Sequence, residues 1–173
     1  MYYIVDRLRK NNVNNVAFVW HSYASYPIYM HKQLADFYPG DDYVDWFGVS
    51  FFEPGNISSA NLKAVVNMAK EHKKPFMLAE ATPARVGVDG GMRSYYVWYQ
   101  PLFKFIKKND VKMLCYINDD WDSEPMFAAD HWKDSRIQSN KEIRKKWLEE
   151  TSNDRYLHCS KDLYALLGYT IAQ

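Results

Sequence analysis

Four short apolar runs punctuate the chain: Val16-Ala17-Phe18-Val19-Trp20, Trp46-Phe47-Gly48-Val49-Ser50, Phe76-Met77-Leu78-Ala79 and Met113-Leu114-Cys115-Tyr116-Ile117. Each is continuous instead of alternating, the pattern of strands buried on both faces of a parallel sheet. Between them apolar residues recur at helical spacing. Ser58 or Ser59 stands as N-cap before Leu62, Val65, Val66 and Ala69, and the run closes on Lys70, Lys73 and Lys74, where cations suit a helix C-terminus. A second helix, from about Tyr95 to Lys108, puts Trp98, Leu102, Phe105 and Ile106 on one face, with Pro101 kinking or starting its main part. Asn140 to Glu150 carries Ile143, Trp147 and Leu148, and Lys161 to Leu167 adds a short terminal helix. The stretch from Ser22 to Asp42 is less regular, with one short helix expected around Lys32 to Phe37.

Strand starts therefore recur roughly every 30 to 40 residues with a helix between, the spacing of βαβ units. Four such strands make either a small open sheet with helices on both faces or half of an eight-stranded barrel, and periodicity does not choose. Tyr2 to Lys10 reads as a helix already in progress, with no N-cap or signal peptide ahead of it, so the chain is expected to open in mid-fold.

Composition removes several function classes. With 22 basic and 21 acidic residues the formal charge is +1, too balanced to form a footprint for a phosphate backbone, so no nucleic-acid partner is expected. No run of about 18 apolar residues occurs, so no membrane span is expected either. The glycines at 87, 90 and 91 match neither a dinucleotide fingerprint nor a P-loop. The five histidines show no His-Glu-x-x-His spacing, Gly40-Asp41-Asp42 lacks the spaced ligands of a calcium loop, and no Gly-x-Ser-x-Gly elbow is present. Neither metal nor cofactor is expected. Cys115 lies in an apolar run and reads as a packed thiol. The 17% aromatic content points elsewhere, because Trp and Tyr offer flat faces that stack on sugar rings.

The reactive and ring-stacking residues fall just past the ends of the four runs: Trp20-His21-Ser22, Phe51-Phe52-Glu53, Glu80, and Asn118-Asp119-Asp120-Trp121. Parallel barrels build their active sites there, where the loops after the strands converge on one face. Glu80 closes an apolar strand, and an unpaired carboxylate in such a place costs several kcal/mol unless something holds it. It is read either as a nucleophile toward an anomeric carbon, with a second carboxyl about 5 Å away, or as a structural partner of Arg85 or Arg93. Trp121 is either the floor of a sugar subsite or core, and His21 either a contact to a sugar hydroxyl or a structural histidine. Glu53, followed by Pro54-Gly55, reads as a solvated carboxylate opening a turn, and of Asp119 and Asp120 one is expected to bind sugar hydroxyls while the other caps a loop.

Four stretches in order, Asn15 to Ser22, Tyr38 to Ser50 (Tyr-Pro-Gly-Asp-Asp-Tyr-Val-Asp-Trp-Phe-Gly-Val-Ser), Lys74 to Glu80 and Tyr116 to Trp121, resemble the second half of retaining glycoside hydrolases of the clan that includes the family 26 β-mannanases. The resemblance implies an α/β fold that is half of a (β/α)8 barrel, four parallel strands with helices on the outer face. Residues 1–173 would be one partial domain holding strands five to eight and starting within the fourth helix. It implies a fragment of a glycosidase acting on a β-linked polysaccharide, with β-mannan the first expectation. Glu80 would be the catalytic nucleophile and Trp121 the ring-stacking residue, with His21, Trp20, Asn118 and Asp119 as further substrate contacts. The family's acid/base glutamate belongs on a fourth strand, ahead of the helix that opens this chain, so the chain alone is expected to be inactive. The family also places a tyrosine near the end of the sixth strand to hydrogen-bond the nucleophile, where this chain has Phe51 and Phe52, which cannot. A half barrel leaves strand edges open, which predicts self-association. Secretion or a periplasmic location is the expectation for the complete protein. The competing readings are a non-catalytic carbohydrate-binding barrel and an unrelated four-strand domain binding a small ligand. Helices on both faces of the sheet would favour the last of these.

Overall fold

The structure, a computed structural model, describes residues 1–23 and 34–169. One sheet of four strands organises it: β1 (Val19–Tyr23), β2 (Trp46–Phe51), β3 (Phe76–Ala81) and β4 (Met113–Tyr116), all parallel and adjacent in chain order. The first strand sits later than the apolar run suggested. Pairing with β2 begins at Val19 opposite Trp46, so Val16 to Phe18 lead into the strand without a ladder partner. Asp45 holds that entry, its carboxylate accepting from the Phe18 amide at 2.7 Å.

The helices follow the sequence closely. α1 covers Tyr2–Lys10 and buries Val5. Ser59 caps α2 (Ala60–Glu71), its hydroxyl accepting from the Leu62 amide, and Leu62, Val65, Val66 and Ala69 form the buried stripe. The helix around Pro101 begins as α3 (Met92–Ser94), passes through a π-turn at Tyr95–Tyr99 and continues as α4 (Gln100–Lys108). Proline explains the widened turn: it has no N–H to give to the carbonyl four residues back, and the Gln100 amide reaches instead to the Tyr95 carbonyl. Asn140 caps α5 (Lys141–Thr151), accepting from the amides of Glu142 and Ile143, and α6 (Leu163–Leu166) is the short terminal helix. Of the helix expected around Lys32 to Phe37, residues 34–37 form a 3-10 turn and the remainder lies outside the described residues.

The core lies on one face of the sheet. Trp20, Phe47, Val49, Phe51, Phe76, Leu78 and Ala81 cluster with Leu62, Val65, Trp98, Leu102, Phe105 and Ile143 from α2, the π-turn, α4 and α5. The opposite face is open: Val19 and Met113 keep 36% and 45% of their surface, and His21 and Glu80 are exposed there too. Among the described residues this is not a four-strand domain with helices on both faces. The architecture is that of half a (β/α)8 barrel, its helices outside and its inner face uncovered.

Candidate functional site

One irregularity in β3 sets the position of Glu80. Phe47 pairs with Phe76, Gly48 with Met77 and Val49 with Leu78, but the next residue of β2, Ser50, pairs with Glu80. Ala79 is an extra residue, and the β3 to β4 register shifts over the same stretch. Side chains in a strand alternate between faces, so in a regular strand Glu80 would follow Phe76 and Leu78 onto the helix-covered side. The bulge reverses that parity. Met77 and Ala79 both lie near Gly48 on the open face, Ala81 returns to the core, and Glu80 turns onto the open face beside Ser50.

There the Glu80 carboxylate accepts from the Ser50 hydroxyl at 2.9 Å, and the Ser50 oxygen is in turn 2.8 Å from Nε2 of His21. Ser50 is 3% exposed, so its hydroxyl depends on these partners. Among the described residues Glu80 has no ion pair, while Arg85, one of its two expected partners, bonds to Glu53 instead. Glu53 opens the turn at Pro54–Ser58, and its carboxylate keeps 40% of its surface exposed beside Arg85.

Trp121 stands on the next loop, fastened by its indole N–H to the Thr82 hydroxyl at 3.0 Å. Thr82 is fully buried two residues beyond Glu80, so the indole is tied to the segment that carries the carboxylate. Phe127 and Trp132 meet the Trp121 ring edge-on at 4.8 and 5.2 Å, and Trp132 reaches Phe52 at 5.2 Å, which makes an aromatic wall past the ends of β2, β3 and β4. Behind it Asp134 and Asp120 both bind Arg136, at 2.9 and 3.0 Å. The Arg136 hydrogen bonds hold the Asp134 carboxyl below the usual carboxylate range, against the opposing effect of burial. Tyr116 donates to the Ser135 carbonyl at 2.6 Å and meets the Tyr99 hydroxyl at 2.9 Å. Burial pushes both phenols up, so both remain neutral donors.

The remaining expected contacts have other attachments. Trp20 points into the helix-covered layer, 8% exposed, edge-on to Tyr38 and Phe47 at 5.4 and 5.3 Å, with its indole N–H on the Phe37 carbonyl. Strand alternation puts it opposite in facing to His21, and its expected role as a sugar contact is corrected to core packing. Asn118 uses both ends of its amide on the loop before α5, donating to Gln138 and accepting from the Ile137 amide. Asp119 accepts from the Asp120 amide, while its own N–H donates to the Ser135 hydroxyl. Cys115 is half-buried, and burial pushes its thiol up, as a packed thiol requires. Among the described residues no cluster of His, Cys, Asp or Glu has the makings of a metal site, and no helix is long and apolar enough to cross a membrane.

Ser50, Thr82, Phe127 and Trp132 are the members of this constellation that sequence reasoning missed. Ser50 and Thr82 did carry a signal: a hydroxyl within an apolar strand or directly at its end must find a partner when buried, and each lies within reach of a residue already singled out. Phe127 and Trp132 carried none, because nothing local tells a loop aromatic that it will meet Trp121.

The sequence pattern of glycosyl hydrolase family 26 matches residues 1–121, from α1 through the indole at the site. The chain belongs to that family. It is 31% identical to a β-1,3-xylanase, TXYA, of a Vibrio species over 96% of its own length and 41% of the relative's. A β-1,3-xylanase of an Alcaligenes species is also 31% identical, over 90% of this chain and 38% of that one. Among solved structures, the family 26 β-mannanase BoMan26A of Bacteroides ovatus superposes with a TM-score of 0.62 at 18% identity, covering 92% of this chain and 44% of that one. An endo-β-1,4-mannanase of Cellulomonas fimi gives 0.61 at 16% identity, covering 92% and 36%. The family 26 chain described here thus spans about two fifths of the length of the curated relatives it matches.

Proposed function

We propose that this chain is the nucleophile-bearing part of a retaining glycosidase that hydrolyses a β-linked polysaccharide, and that the polysaccharide is β-1,3-xylan. The observation that carries the proposal is the bulge that turns Glu80 onto the open face at the strand ends, hydrogen-bonded to Ser50 and without a cation among the described residues. A carboxylate so held has one oxygen fixed and the other free. That oxygen attacks the anomeric carbon as the glycosidic bond breaks, giving a covalent glycosyl ester that water then cleaves. A second carboxyl about 5 Å away protonates the leaving oxygen and later activates the water. We assign that group to sequence outside this chain, because the four strands present end in one such carboxylate, and so expect the chain alone to be inactive. Trp121, held by Thr82 and flanked by Phe127 and Trp132, is the stacking platform.

The choice of xylan over mannan rests on the relatives. The β-1,3-xylanases share 31% identity across nearly the whole chain, whereas the mannanase structures, at 16–18%, speak for the fold alone. In the full-length protein, an activated 2-fluoro-xyloside is expected to label Glu80, read by mass spectrometry of the peptide, and Glu80→Gln to lose about 10³-fold or more in kcat on β-1,3-xylan. Unlabelled Glu80 together with a fully active Glu80→Gln enzyme would sink the assignment. Faster hydrolysis of β-mannan than of β-1,3-xylan by the wild type would overturn the substrate.

A further inference from the structure

We propose that Ser50 and His21 form a one-way hydrogen-bond relay that positions the Glu80 carboxylate, with His21 acting through Ser50 and not on the sugar. The proposal rests on the reading of Glu80 as nucleophile and adds two positioning residues to it.

The direction of the relay follows from counting hydrogens. An ionised carboxylate only accepts, so the Ser50 hydroxyl, 2.9 Å from Oε2 of Glu80, must donate its single hydrogen to it. The Ser50 oxygen then has only lone pairs left for His21 Nε2 at 2.8 Å, and that nitrogen must carry the proton. A neutral His21 is therefore the Nε2–H tautomer. Three strands supply the relay: His21 from β1, Ser50 from β2 and Glu80 from β3. The bulge at Ala79 brings its last member into line, since without it Ser50 and Glu80 would not be paired.

The relay also answers a chemical need. One carboxylate oxygen is fixed by Ser50 while the other stays free to attack, and a carboxylate that can rotate spends less time in the attacking geometry. A hydroxyl at the Ser50 position takes the place of any donor from Phe51 or Phe52, whose rings have none. Because Ser50 is 3% exposed it has no surface to offer a substrate, and its contribution must pass through Glu80.

The test separates the relay from a sugar contact. In the full-length protein assayed on β-1,3-xylan oligosaccharides, Ser50→Ala and His21→Ala should lower kcat, by about tenfold or more for Ser50→Ala, with KM nearly unchanged. Ser50→Thr, which keeps the hydroxyl, should restore most of the rate, and this rescue guards against a merely misfolded alanine variant. Nitrogen-15 NMR of the wild type above the histidine titration should find the His21 proton on Nε2. A proton on Nδ1, or a His21→Ala variant that raises KM while leaving kcat intact, would overturn the relay. Failure of the nucleophile assignment is read separately, as absence of the fluoro-sugar label on Glu80, and leaves the tautomer measurement to decide the relay by itself.

Discussion

The hydroxyl of Tyr116 shows how much of this site is held by single atoms. It donates to the Ser135 carbonyl, so Tyr99, whose own hydroxyl lies 2.9 Å away and whose ring is 1% exposed, must donate to it. Phenylalanine would keep the ring and its packing on Trp98 and Trp147 but would leave a buried phenol and a carbonyl without partners. Tyr116→Phe is expected to cost roughly 1–3 kcal/mol of stability, seen as a lower Tm with the fold intact. Asp134 gives the chain a pH-dependent contact at the same place. Its carboxyl is held low by Arg136, so the folded state binds that proton less readily than the unfolded state. The stability it contributes is present above the usual carboxylate range and is lost as pH falls through that range toward the depressed folded value. Asp134→Asn should lower Tm at neutral pH, and the gap to the wild type should narrow as pH falls through and below the usual carboxylate range, measured as Tm against pH. The gap will be modest, because the pair is partly exposed.

At the scale of the element, β3 is the part that the chemistry depends on, because its pairing with β2 absorbs an extra residue between Leu78 and Glu80. Deleting Ala79 would make Glu80 follow Leu78 directly in regular alternation, so the carboxylate would keep the open face beside Ser50 and only the bend and twist that the bulge adds would be lost. In the full-length protein the deletion is therefore expected to lower kcat without abolishing hydrolysis, while Ala79→Gly, which keeps the residue count, stays near the wild-type rate. A deletion variant that folds but is inactive would show that the bend at the bulge, and not only the facing of Glu80, is required. Neighbouring elements were legible in the sequence because their rules are local. Ser59 and Asn140 announced helix starts, and Leu62, Val65, Val66 and Ala69 announced the buried stripe of α2. The start of β1 was misjudged because Val16 to Phe18 have strand-like side chains but no ladder partner, and only the partner defines a strand's beginning.

For the whole molecule, the outer strands β1 and β4 have no second neighbour among the described residues, and Val19 and Met113 remain partly exposed on the open face. Edges and apolar faces of this kind pair with whatever is available. The chain 1–173 by itself is expected to elute from size-exclusion chromatography as a dimer or larger, or to precipitate, and a clean stable monomer would count against the half-barrel picture. Sugar subsites in a barrel are lined from all sides of the mouth, and these four strands supply one side of them.

Sequence by itself determined the alternation of strand and helix, the family likeness, and which carboxylate and which indole to watch, because each rests on spacing along the chain. Tertiary structure alone decided which way those side chains face. Trp20 went to the core and His21 to the open side by strand alternation, and Glu80 joined His21 only because the β2 to β3 register skips Ala79. Register depends on how two distant segments pair, and no stretch of either one records it.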